Sequence, residues 1–300
     1  MKYIHTFWSK PLLQHKFEKY NIALTYTLTN YTYSVACIHK LGEQIELYTD
    51  EYGAELLSFI NYDKVHVISD IADENVHFAA QIKFLALKEC NLGDVLIDGD
   101  LFIWRNEANE LINSYKNYDL VYSFYEPPEY TMRFIEQRNK FQNALNEITK
   151  NNIHFEEPFH WPVSFEEHGW FNASLMCFNN QELKDKYIEQ YFKHKELLKN
   201  INFKNFWPDL IIEQRFLTIL SEKYTTKAVI EDFYSNPKAN DIALKLGFTH
   251  LGNLKKMYNN YSIVRLKNED YDLYLKMYEQ LKKYLKKTTY RRIYSKNHTN

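Results

Sequence analysis

The sequence predicts an α/β fold, a mostly parallel central sheet flanked by helices, on three observations. Short apolar runs of strand length alternate with helix-like stretches through the first half of the chain, the pattern of βαβ units. The run Asp94 to Ile97 (DVLI) stops abruptly at Asp98-Gly99-Asp100, as a buried strand ending at a sheet edge does. The 300 residues are 45% hydrophobic and 25% charged, with only 7 glycines and 7 prolines, which suits a compact chain with a large core and no flexible tether.

The elements follow in order. Tyr3 to Trp8 (YIHTFW) reads as the opening strand, Ile45 to Thr49 as the second and Lys64 to Ser69 as the third. Helical stretches are expected at 30–41, 51–60 and 77–90, the last with apolar positions at helical spacing. After the strand at 94–97 comes another at Tyr118 to Phe124. Residues 126–168 hold Pro127, Pro128, Pro158 and Pro162, a helix-like stretch at 132–150 and the aromatics Phe155, Phe159 and Trp161. This reads as an excursion from the sheet whose aromatic faces can stack on a ligand. A strand at Trp170 to Phe178 resumes the regular pattern, followed by helices at 181–200, 208–222 and 264–287. The expected organisation is one domain over 1–263 and a C-terminal helix with a basic tail over 264–300.

Composition excludes several function classes. No GxGxxG or GxxxxGK is present, which removes the glycine-loop nucleotide sites. Cys37, Cys90 and Cys177 are far apart and odd in number, so free thiols in a reducing compartment are expected. The start shows no secretory pattern, and a cytoplasmic location follows. Net charge is -2, yet residues 276–296 hold eight lysines and arginines against Glu279 alone. The acidic remainder argues against a nucleic-acid partner. The basic tail suits a peripheral contact with an anionic membrane face.

Four groups of residues carry chemistry. Asp98 and Asp100 place two carboxylates at a strand end, where α/β sheets bind ligands. Both can turn toward one hard divalent cation, with Gly99 allowing close approach. His250, Gly252 and Lys255 offer an imidazole ligand, a close-approach glycine and a cation for phosphate. Asn172, in Phe171-Asn172-Ala173-Ser174, and the pair Glu213-Gln214 suit a hydroxyl-rich ligand.

In this order, DxD, FNA-S, Glu-Gln with Leu217, then HxGxxK, the motifs resemble the retaining family 8 glycosyltransferases of the GT-A fold, over roughly residues 94 to 256. The N-terminal stretch looks more like other bacterial GT-A proteins. Ser174 stands where the family usually has Gly, and Lys256-Met257 replace its Pro-Trp. The resemblance implies a hexosyltransferase that moves a sugar from a nucleotide-diphosphate sugar, a UDP-sugar, to a glycan or lipid-linked glycan. It implies Mn²⁺ (or Mg²⁺) held by Asp98, Asp100 and His250, with Lys255 on the leaving diphosphate and Gly252 beside it. It also implies Asn172, Glu213 and Gln214 near the transferred sugar, with Glu213, Gln214 and Lys255 as the catalytic residues. In an inverting course Glu213 would be the carboxylate base. It further implies Lys83 near donor phosphate or an aspartate, and the 126–168 excursion as the acceptor side. Two other readings compete: a nucleotidyltransferase, which normally shows an N-terminal glycine loop that residues 1–20 lack, and a non-catalytic glycan-binding protein on a degenerate fold.

Overall fold

The structure, a computed structural model, describes all residues except 72–75, 128–134, 160–168, 202, 204–207, 232–242, 244, 252–260 and 297–300. Gly252, Lys255 and Trp161 therefore lie outside the described residues.

The first strands are β1 (Lys2–Phe7), β2 (Gln44–Thr49), β3 (Lys64–Val67) and β4 (Val95–Ile97). Then come β5 (Leu101–Ile103), β6 (Leu120–Tyr122), β7 (Tyr125–Glu126), β8 (Trp170–Phe171), β9 (Leu175–Phe178), β10 (Thr226–Ala228) and β11 (Phe248–His250). Seven form the central sheet in the order β10-β6-β9-β4-β1-β2-β3. Its ladders are parallel except where β9 runs antiparallel to both β4 and β6.

The helices are α1 (Ser9–Leu13), α2 (Phe17–Lys40), α3 (Glu51–Leu56), α4 (Gln81–Glu89) and α5 (Asn106–Ser114). They continue with α6 (Ile135–Lys150), α7 (Gln181–Leu198), α8 (Phe216–Ser221), α9 (Tyr261–Glu269) and α10 (Tyr271–Lys296).

Strand side chains alternate between two cores, as the pleat requires. Ile4, Leu96, Leu120, Tyr122 and Met176 face a core shared with α4, α7 and α8. Tyr3, Ile45, Leu47, Val95, Ile97, Val121 and Leu175 face the other, shared with α2, α5 and α10. Residue 263 falls within α9, and Met277 and Tyr284 of α10 are buried in that second core.

Four expectations need correction. Helix α2 starts at Phe17 and not at 30. Its threonines and asparagines lower local propensity, but Tyr20, Leu24, Leu28, Val35 and Ile38 form a buried stripe, and packing decides helix stability. Residues 170–178 are two strands, because the Asn172 side-chain oxygen accepts from Ser174 N at 3.0 Å, an Asx turn that breaks the ladder. Residues 210–215 form a π-helix before α8. The C-terminal helix is two helices, with Asp270 between them accepting from Leu273 N at 3.0 Å, as a helix N-cap does.

Candidate functional site

Strand β4 is buried throughout and delivers Asp98-Gly99-Asp100 at its C-terminal end. Asp98 N donates to Ser174 O at 2.8 Å and Leu101 N to Asp98 O at 3.0 Å, so the turn is pinned to β9 and bent tightly into β5. Strand β5 pairs antiparallel with β11, setting His250 opposite Leu101. Leu251 N continues that ladder to Asp100 O at 3.1 Å. Gly247 begins the approach of β11 with φ +79°, and a Cβ there would lie 2.3 Å from Arg105 Cβ, so only glycine fits. In this way a short ladder carries His250 to the DxD turn, with His250 Nε2 at 3.8 Å from Asp100 Oδ1.

One ligand atom from each of Asp98, Asp100 and His250 lies within 4.8 Å of the others. An octahedral ion with bonds of about 2.1 Å holds ligand atoms about 3 Å apart when adjacent and about 4.2 Å when opposite. The set therefore fits a divalent ion after side-chain shifts of less than about an ångström. Two carboxylates with one imidazole suit Mn²⁺ better than Mg²⁺.

Gly99 lines a cavity and is also required by a packing contact. A Cβ there would lie 2.3 Å from the Tyr31 ring, so the close neighbour is this chain's own tyrosine. Tyr31 OH donates to Thr6 O at 2.6 Å. Burial, then the charges of Asp98 and Asp100, hold that phenol well above its ordinary range.

Lys83 on α4 reaches the same turn. Its Nζ is 2.7 Å from Asp98 Oδ1, 2.5 Å from Glu213 Oε1 and 3.5 Å from Ala173 O. Burial pulls the Lys83 pKa down, but the Asp98 and Glu213 carboxylates outweigh it and raise it overall. Burial pushes the Glu213 carboxyl up, against the opposing pull of Lys83. Glu213 sits on the π-helix, whose extra residue per turn re-aims side chains and recurs at functional sites. One turn earlier, Asp209 accepts from Ala80 N at 2.6 Å and Tyr191 OH at 3.2 Å, and burial raises its pKa strongly.

A cavity of about 540 Å³ opens over this edge. Lys83, Asp98, Gly99, Asp100, Asp209 and Glu213 line it, together with Phe7 at the end of β1, Trp8 just after it and Asn30 on α2. Asn172 and Gln214 are not in its lining. Asn172 Oδ1 accepts from Ser123 Oγ at 2.8 Å and Ser174 N at 3.0 Å, and its Nδ2 donates to Glu126 Oε1 at 2.6 Å. Burial raises the Glu126 carboxyl, opposed by that bond from Asn172. Phe159 is core: it packs edge-on to Phe216 at 5.3 Å and is 8% exposed.

Sequence reasoning missed Asp209, Glu126 and the α2 wall. Pro208-Asp209 opening an apolar run marks a helix start and nothing more, and no local signal marks Tyr31 or Asn30.

Comparisons with solved structures give distant likenesses. The glycosyltransferase GlyE from Streptococcus pneumoniae TIGR4 is 13% identical with a TM-score of 0.43, over 95% of this chain and 64% of that one. Its apo-form gives 12% and 0.40, over 95% and 63%. Mouse xyloside xylosyltransferase 1 in its apo form gives 11% and 0.37, over 76% and 85%. The chain thus spans less than two thirds of the length of the pneumococcal structures. No curated protein matches. A family model matches residues 1–297, and the chain belongs to that family, DUF6734, a family of unknown function.

Proposed function

We propose that the protein is a GT-A glycosyltransferase that moves a sugar from a nucleotide-diphosphate sugar, a UDP-sugar, to a glycan or lipid-linked glycan. The observation that carries this reading is the meeting of Asp98, Asp100 and His250 at the carboxyl end of β4, where the two aspartates, though not His250, line a cavity of nucleotide size. A divalent ion held by these three groups supplies Lewis-acid charge for the departing diphosphate.

The chain's own residues do the rest. Lys83 fixes Asp98 and adds positive charge beside the carboxylates. Glu213, bonded to Lys83, acts as its counter-charge near the transferred sugar, with Gln214 beside it in sequence. Asn172 positions the Ser174 turn behind Lys83. Lys255 meets the leaving diphosphate and Gly252 admits it. A retaining course lets the departing phosphate oxygen take the acceptor's proton, so no dedicated base is needed.

Among the described residues no helix is long and apolar enough to cross a membrane. The basic tail reaches a lipid-linked acceptor by peripheral contact with an anionic surface. Equal sedimentation with anionic vesicles by the full chain and one cut after Leu285 would remove that part.

Calorimetry with Mn²⁺ and a panel of UDP-, GDP- and CMP-sugars tests the donor site. Binding that requires the metal is expected for one nucleotide class, and binding of none overturns the reading.

A further inference from the structure

The middle of α2 turns Tyr26, Thr27, Asn30 and Tyr31 toward the cavity, positions that share one helix face. The protein leaves hydrogen-bonding capacity unused there. Thr25, Thr29 and Thr32 each donate to a carbonyl four residues back, at 2.8, 2.8 and 2.5 Å. Thr27 lines the cavity, and its hydroxyl has no hydrogen-bond partner among the described residues. Asn30 is 5% exposed. Ser262 Oγ, on α9, donates to Asn30 Oδ1 at 2.7 Å. That bond orients the amide and leaves Nδ2 without a partner among the described residues. The Nδ2 donor therefore opens onto the cavity that Asp98 and Asp100 also line, where an acceptor on a ligand can take its hydrogen bond.

We propose that Asn30 is a specificity-determining residue of the donor site, its Nδ2 donating a hydrogen bond to an acceptor oxygen on the nucleoside part of the nucleotide sugar, with Thr27 as a second, weaker contact. This rests on reading the cavity as a nucleotide-sugar site. The ligand set at Asp98, Asp100 and His250 takes the diphosphate end, which leaves the nucleoside for the rest of the cavity. The aromatic faces of Phe7 and Trp8 in the same lining suit a planar base. The acceptor oxygen belongs either to a base carbonyl or to a ribose hydroxyl.

Calorimetry in Mn²⁺ with UDP and with ribose 5-diphosphate, on the full chain, separates the outcomes. Asn30→Ala is expected to weaken UDP binding about tenfold. Asn30→Asp keeps an acceptor for Ser262 but loses the donor, and is expected to weaken UDP further. Thr27→Val, at a half-buried position with no protein bond, is expected to weaken it about threefold and keeps the test open if the Asn30 variants unfold. A loss seen with UDP and not with ribose 5-diphosphate assigns the bond to the base, and an equal loss with both assigns it to the ribose. Wild-type binding with folded variants that bind equally well overturns the inference alone. Failure of the wild-type chain to bind any nucleoside diphosphate overturns the functional reading and this inference with it.

Discussion

Asp98 and Asp100 stand two residues apart in one turn and live in different company. Asp98 is the more open, its side chain 31% exposed, and it is joined to the Lys83 ammonium at 2.7 Å. Asp100 is 7% exposed and faces the His250 imidazole at 3.8 Å. A carboxylate neutralised by its own lysine adds less net charge to a bound cation than one facing an imidazole. In the proposed site the two acids of one motif would therefore divide the work: Asp100 as the principal charge for a metal, and Asp98 as its link to Lys83 and Glu213.

The largest expected effect tests that division. Asp100→Asn should reduce Mn²⁺-dependent binding of a nucleoside diphosphate on the order of a thousandfold, about 4 kcal/mol. Asp98→Asn should reduce it by a clearly smaller factor, because the Lys83 ammonium already balances the Asp98 charge. Manganese titration of both variants checks this, and equal losses would show the two acids to be equivalent. Next comes Lys83→Met. It leaves Asp98 and the buried Glu213 without their shared cation, and should lower unfolding stability in urea by about 3 kcal/mol. Adding Glu213→Gln should recover part of that loss, since the two sites share one interaction. Additive losses would mean that the short Lys83 contacts carry little energy.

How the site was legible follows from the same residues. Asp98 and Asp100 could be read because acids interrupting an apolar run are conspicuous at a strand end, and β1 and β2 because their six-residue runs are long enough to show a pattern. His250 could be paired with them only through motif order: β5 and β11 are three residues each, too short for periodicity to reveal the ladder that joins them. The start of α2 was missed because threonine and asparagine hide a helix that tertiary packing stabilises. Tyr31 under Gly99 was invisible because the contact spans most of the first hundred residues. The Asx turn at Asn172 was hidden inside an apolar stretch that reads equally well as one strand.

His5 on β1 pairs with Ile97, the residue before the DxD turn. It is fully buried, and its ring nitrogens lie 2.9 Å from Tyr62 OH and 3.0 Å from Ser34 Oγ. Burial lowers its pKa to about 3, although Asp100 pulls the other way. A histidine depressed in the folded state stabilises fully above its unfolded pKa of about 6.5. That contribution is lost as pH falls from there toward about 3. At pH 5 the loss is about 2 kcal/mol relative to pH 8. Urea unfolding of the wild type and His5→Gln at both pH values checks it: the wild type should show the steeper fall, and parallel falls would remove His5 from the acid response.

The smallest effect concerns the element that both acids share. Tyr31 packs its ring against Gly99 and donates its hydroxyl to Thr6 O at 2.6 Å. Tyr31→Phe removes the hydrogen bond and keeps the ring, so it should cost about 1 kcal/mol of stability. Because the ring and not the hydroxyl holds the turn in place, nucleotide binding should stay within about threefold of wild type, a change of well under 1 kcal/mol. Unfolding midpoints and calorimetry on the same preparation separate the two quantities. A binding loss that matched or exceeded the stability loss would mean that the phenol acts on the ligand directly. Tyr31 would then belong with Asp100 among the groups that face the ligand, and not beneath Gly99 as its support.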